Sequence, residues 1–293
     1  MSYVFIVKKA EHFNIDAAGE HFEKLTSLKL NKIKAKKLNS HVGGLFSCEV
    51  PETEVRSKVK SLIEKDSIDF DVWCSESFPT LKRRGEICLD MDMTSVQIEG
   101  IDEIARRLGV FGKVSKITEQ AMHGGMDFTE SLKQRVALLE GGSAQVIEDV
   151  KSIMHETDGL DVLMNTVTEH NWVKGICSGG FEQLICVLEN KYGLNMVCAN
   201  SLEIKDGKLT GRVDKRIVDA EVKLEGVLEL KKRENIDASQ IIVLGDGAND
   251  LKMIDGAALG IAYHAKPLVQ KLAPACINHS DLTAVALLLL LNS

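Results

Sequence analysis

The sequence has no CxxC pair, no apolar run long enough to cross a bilayer and no excess of positive charge, and each absence removes a class of protein. Its seven cysteines are odd in number, widely spaced and mostly set in apolar segments. That is the pattern of reduced thiols acting as small hydrophobes, not of disulfides or a zinc site. The longest purely apolar stretch, AVALLLLL at 284–291, falls well short of the roughly 20 residues a membrane helix needs, so it reads as a buried terminal helix. A formal net charge of −7 argues against a general nucleic-acid binder, which needs a basic surface to displace counterions. The opening residues MSYVFIVKKAEHF have no basic n-region, sustained apolar h-region or cleavage site, so the expected location is cytoplasmic. No internal repeat or low-complexity tract is present.

What is present divides near residue 80. Residues 1–80 carry YVFIV, AAGEHFEKLTSL, NKIKAKKL, GLFSCEV, ETEVRSKVKSLIEK and IDFDVWC, whose periodicities predict a ferredoxin-like βαββαβ unit. ESFPTLKRRGE reads as a linker. In residues 81–293 the short apolar runs EICLD, NWVKGICS, QIIVLGD, ALGIAY and ACINH alternate with helical patterns, which predicts a doubly wound parallel α/β sheet. About seventy residues separate the first two of these strands, too many for a crossover loop. They contain four amphipathic segments, so a helical cap is expected at about 95–160. SLEIKDGKLTGRV reads as a β-hairpin near 201–213.

Ligands of open parallel sheets sit beyond the carboxyl ends of the strands, and here those ends are polar or glycine-rich. The first strand ends in Asp90-Met91-Asp92, the second in CSGGF and a later one in GDGAND. Residues two apart in a strand share a face, and two carboxylates so close repel, so one tends to keep its proton. One can attack while its neighbour donates. An isolated aspartate after a strand is most often a cap, but Asp246 and Asp250 bring the acids to four at two strand ends. Such oxygen donors favour Mg²⁺ over zinc. Ser178 and the glycines after it can hold an anion at the start of a helix, although a plain turn reads the same way. Lys223 in VDAEVK would offset the repulsion between an anionic nucleophile and a phosphate.

DMDMTSVQIEGIDEIA, SGGF, the lysine of VDAEVK and GDGANDLKMI resemble, in order and spacing, the four signature motifs of the haloacid dehalogenase superfamily. The helical insertion after the first motif resembles the cap of its phosphoserine phosphatase branch. The resemblance spans about residues 86–291. It implies Asp90 as a nucleophile forming an aspartyl-phosphate, and Asp92 as the acid that protonates the leaving oxygen and then activates water. It further implies Mg²⁺ on the Asp90 carboxylate, the Asp92 backbone carbonyl and Asp246, with Asp250 in support. Ser178, Gly179, Lys223 and Asn249 would hold the phosphoryl group. For the substrate, a small molecule carrying an ammonium and a carboxylate beside its phosphate, the resemblance implies Glu99 and Arg135 as partners of those two charges and Met122 and Phe128 as apolar closure.

Three positions depart from the branch: Met93 where serine is usual, Ser95 where an apolar residue is expected, and His123 where arginine is frequent. The first two put the geometry of the metal loop and the rate in question. The N-terminal unit resembles ACT-like regulatory domains, and its plain alternative is packing or dimerisation into a homodimer. The expected reaction is hydrolysis of phosphoserine as the last step of serine biosynthesis. The alternatives are a phosphatase or phosphotransferase for another small phosphorylated amino acid or alcohol, and a receiver-like phospho-accepting module. A cap that shields the acyl-phosphate opposes the last.

Overall fold

The computed structural model describes residues 1–122, 126–214 and 216–293, with the side chain of Met122 also outside the described set. The chain begins with β1 (Ser2–Lys9), α1 (Ile15–Thr26), β2 (Asn31–Leu38), β3 (His41–Cys48), α2 (Glu52–Glu64) and β4 (Asp71–Ser75). These form an antiparallel sheet in the order β2-β3-β1-β4, the ferredoxin-like arrangement. Asn14 starts α1 by accepting from the Asp16 and Ala17 amides, and Ser27 ends it in the left-handed region. One face of the sheet is covered by α1 and α2 through Val4, Ile6, Phe22, Val55 and Val59. The alternate residues Phe5, Val7, Leu45 and Trp73 face the other way and join the core of the rest of the chain.

A second sheet follows. β5 (Glu86–Leu89) leads into the cap helices α3 (Gly100–Arg107), α4 (Phe111–Met122), α5 (Phe128–Ala137) and α6 (Gln145–Lys151), and α7 (Leu160–Glu169) returns the chain to β6 (Val173–Phe181). Then come α8 (Glu182–Tyr192), β7 (Met196–Lys205), β8 (Lys208–Asp214), α9 (Ala220–Glu234), β9 (Ile241–Gly245), α10 (Leu251–Asp255), β10 (Leu259–Tyr263), α11 (Pro267–Leu272), β11 (Ala275–Ile277) and α12 (Thr283–Leu291). The order is β11-β10-β9-β5-β6-β7-β8, parallel except for β8. The central strands are buried on both faces, as their unbroken apolar runs require. β5 lies between β9 and β6, with Leu89 opposite both Leu244 and Ile176, so the three motif-bearing strand ends finish side by side.

Two local expectations change. The hairpin forms, but its first strand starts at Met196 and runs parallel to β6 before turning, so it also extends the main sheet. SGGF does not open a helix: it continues β6 through an irregularity between Cys177 and Phe181, and α8 starts only at Glu182. The cap is entered and left by two segments lying side by side. Thr157 N–H donates to Ser95 O at 3.0 Å and Gln97 N–H to His155 O at 2.9 Å.

Candidate active site

Beyond the ends of β5, β6 and β9 lies a cavity of about 910 Å³, roofed by α3 to α5 of the cap. Its lining includes Asp90, Asp92, Ser178, Gly179, Asp246 and Asn249 from below and Glu99, Phe128 and Arg135 from above. Lys223 sits beneath this floor, fully buried, with Nζ 3.0 Å from Asp90 Oδ1 and 2.6 Å from Asp250 Oδ1. Met122 ends α4, but its side chain lies outside the described residues, as does His123.

The floor is shaped by the backbone. Asp90 N–H donates to Leu244 O at 2.9 Å, so the turn after β5 is pinned to β9. Asp90 Oδ1 accepts from Met91 N–H at 2.7 Å, and Ser95 Oγ–H donates to the Asp90 carbonyl at 2.6 Å. The unexpected hydroxyl at 95 is therefore buried and used. Met93 adopts φ +56 with its side chain exposed, outside the charge cluster. Asp250 folds back under β9, where Oδ2 accepts from the Asp246 and Gly247 amides at 3.1 and 2.9 Å. A side chain at Gly245 would collide with it, its Cβ lying 2.4 Å from the Asp250 carboxyl carbon.

Asp90, Asp246 and Asp250 each place a carboxylate oxygen within 4.8 Å of the other two. Three carboxylates against one ammonium leave net negative charge, and an all-oxygen donor set without histidine or thiol suits a hard divalent cation. Burial, with Asp90 and Glu99 nearby, pushes Asp246 up to about 7. For Lys223, burial works against the charged form, but the Asp250 and Asp90 carboxylates outweigh it and hold the ammonium charged. Asp92 turns the other way, its Oδ1 accepting from Gly100 N–H at 3.2 Å at the start of α3. Burial, then the charges of Glu99 and Asp90, raise its pKa well above the carboxylate range. Asp90 and Asp92 both lie beyond the end of β5 and do not share a face as their spacing predicted: Asp90 is paired with an ammonium, and Asp92 turns towards the start of α3, where burial more than Asp90 favours its protonated form.

Opposite them, Ser178 Oγ accepts from Gly180 N–H at 2.9 Å and can still donate. Asn200, absent from the expected site, braces this turn: its Nδ2 donates to Gly179 O at 2.8 Å and its Oδ1 accepts from Val218 N–H at 2.9 Å. The Phe128 ring lies against Gly179, where an added Cβ would come within 2.7 Å of Cζ, so the cap closes directly onto the turn. Glu99 and Arg135 share the roof of the cavity, close enough for each charge to act on the other. Burial raises the Glu99 pKa, helped by Asp102 and Asp90 and opposed by Arg135, while burial lowers that of Arg135.

The family model for haloacid dehalogenase-like hydrolases matches residues 87–255. A phosphoserine phosphatase of Haemophilus influenzae is 40% identical over 225 residues, 77% of this chain and 72% of that protein. The unliganded structure of a probable phosphoserine phosphatase from Vibrio cholerae superposes with a TM-score of 0.81 at 33% identity, covering 98% of this chain and 86% of that one. A phosphoserine phosphatase solved as its phospho-aspartyl intermediate analogue gives a TM-score of 0.65 at 36% identity over 69% of this chain and 97% of that one.

Proposed function

The chain belongs to the haloacid dehalogenase-like hydrolases, and on that premise we propose how its residues hydrolyse O-phospho-L-serine to L-serine and phosphate. One observation carries the assignment: an ammonium-paired Asp90 and the Ser178 turn share a cavity with a cap carboxylate, Glu99, and a cap guanidinium, Arg135. The first pair suits a phosphoryl group and the second the two charges of an amino acid.

Asp90 is the nucleophile. Lys223 and the Met91 amide both engage Oδ1, which leaves Oδ2 to attack phosphorus. As the phosphorus–oxygen bond to serine breaks, Asp92 delivers its proton to the leaving oxygen, and serine departs from an aspartyl-phosphate. Asp92, now a carboxylate, takes a proton from water, whose oxygen displaces Asp90 and releases phosphate. Ser178, the Gly179 amide and Asn249 hold the phosphoryl oxygens, with Lys223 reaching them from beneath the floor, while Phe128 excludes bulk water. Mg²⁺ is the proposed cation, held by Asp90, the Asp92 carbonyl and Asp246, and when bound it neutralises charge and polarises the phosphoryl group. Asp250, whose oxygens already accept from Lys223 and from the Asp246 and Gly247 amides, would support the cation from beside it. We assign the enzyme to the cytoplasm, and a homodimer through the N-terminal sheet is the proposed assembly.

Phosphate release from a panel of small phosphomonoesters tests the reading. Phosphoserine should be preferred, EDTA should abolish turnover with Mg²⁺ restoring it, and Asp90→Asn should lower kcat by at least about 10⁴-fold. Turnover by Asp90→Asn within tenfold of the native rate would remove Asp90 from the mechanism.

A further inference from the structure

Two polar side chains in the cavity have no part in the mechanism above. Asp102 lies in the first turn of α3, one turn beyond Glu99, and its Oδ1 is buried with no hydrogen-bond partner among the described residues. Ser131, in α5 one turn before Arg135, is 2% exposed, and its Oγ also lacks such a partner. Both line the cavity. Buried polar atoms are paired in all but a few cases, so two orphaned oxygens on residues that line one cavity point to a ligand that pairs them.

Their neighbours indicate which ligand. Asp102 lies close enough to Glu99 and Arg135 for its charge to act on both. Arg135 Nε donates to the Ser131 carbonyl at 3.3 Å, which commits that donor and leaves the two terminal nitrogens of the guanidinium for a carboxylate. An α-ammonium brings three donors into the cavity, and a single carboxylate meets them unevenly. A second acid one helical turn away supplies a further acceptor and charge. An α-carboxylate has four lone-pair directions, and a guanidinium fork fills two of them.

We propose that Asp102 and Ser131 are specificity residues: Asp102 joins Glu99 in accepting from the substrate's α-ammonium, and Ser131 Oγ–H joins Arg135 in donating to its α-carboxylate. The inference rests on the phosphoserine reading and extends it. It makes the amino-acid head a four-residue site in which each charge has two partners, drawn one helical turn apart from α3 and from α5. It also sets the order of discrimination. Loss of the ammonium leaves two acids facing each other, whereas loss of the carboxylate leaves the guanidinium still opposite Glu99 and Asp102.

Three phosphomonoesters separate the contributions: O-phospho-L-serine, phosphoethanolamine without the carboxylate, and 3-phosphooxypropanoate without the ammonium. Those turned over slowly are read as competitive inhibitors. Asp102→Asn should weaken kcat/KM, mainly through KM, by about 10- to 100-fold for the two ammonium-bearing compounds and by less than about twofold for 3-phosphooxypropanoate. Ser131→Ala should weaken the two carboxylate-bearing compounds by roughly 5- to 30-fold and spare phosphoethanolamine. Equal losses on all three compounds, or none, overturn the proposal, as does a reversed pattern. Should Asp102→Asn fail to fold, Asp102→Ser and the Ser131→Ala pattern decide. A native enzyme that does not prefer phosphoserine refutes the substrate assignment itself, a result independent of either variant.

Discussion

Glu86 opens β5 fully buried, with neither carboxylate oxygen hydrogen-bonded among the described residues. Burial pushes its pKa from 4.5 up to about 8, although Lys231 and Arg233 pull the other way. Its folded-state value lies above the unfolded one, so between these limits the folded chain retains a proton that the unfolded chain has released. Stability tied to the neutral carboxyl is therefore complete below about pH 4.5 and falls as the pH rises towards 8. Glu86→Gln keeps the shape and has no proton to lose. Urea unfolding should find it comparable to the native chain near pH 5 and more stable by up to about 4 kcal/mol near pH 9. Parallel curves would show that the group ionises without cost. At this scale the sequence is legible where charge arithmetic forces a contact, as for Lys223, which looks like a surface lysine until the aspartates need a cation. It is less legible where a helix face decides. Asp102 and Ser131 sit one turn from Glu99 and Arg135, a spacing visible in the sequence, but the cavity they line depends on how α3 and α5 pack.

β2 shows how an element can answer a question of assembly. β4 closes one edge of the N-terminal sheet against β11, while β2 forms the other edge and is exposed along nearly its whole length. Its residues NKIKAKKL put Lys32, Lys34, Lys36 and Lys37 on that edge. Edge lysines oppose strand pairing because a second copy would bring like charges together, and salt screens that repulsion. A homodimer joined through β2 should therefore gain mass with ionic strength: light scattering should show more dimer at about 500 mM than at about 50 mM NaCl. A dimer mass indifferent to salt would place the contact elsewhere. The cap is constrained at the same scale. Besides its paired entry and exit segments, Gly141 N–H donates to Leu209 O and Leu209 N–H to Gly142 O at 2.9 and 2.8 Å, tying the α5–α6 turn to the hairpin. The half of these ties that lies in the hairpin was legible, since Leu209 falls in SLEIKDGKLTGRV; its partner turn was not, and nor was β7. MVCA is a short run between two asparagines, and only the alternating half beyond it carried a strand signal.

At the scale of the molecule, the segment read as a separable module is bonded into the body of the enzyme by residues about 200 positions away. Trp73 is fully buried, packs on Phe5 at 5.1 Å and donates from Nε1 to Cys276 O at 2.8 Å. Asp71 Oδ1 accepts from the amides of Asn278 and His279 at 2.7 and 3.1 Å. Asp281 lies 3.2 Å from His41 Nε2 and 2.9 Å from Lys9 Nζ, and Lys9 also reaches Asp158 at the exit from the cap. α12 is almost entirely buried because the N-terminal sheet covers it as well as α7. No periodicity within residues 1–80 could report this, since each partner lies at the far end of the chain and the linker between looks like any solvated connector. A shared core of this kind should make residues 1–80 and 81–293 unfold as one cooperative unit. Calorimetry of the full chain should give a single transition with a van't Hoff to calorimetric enthalpy ratio near one. Trp73→Ala, which opens a cavity at the seam, should cost about 3–5 kcal/mol and lower that one transition by roughly 10 °C, with phosphatase activity lost over the same interval. Two resolved transitions in the native chain, or activity that outlasts the unfolding of the N-terminal sheet, would mean that the seam is a contact between independent units.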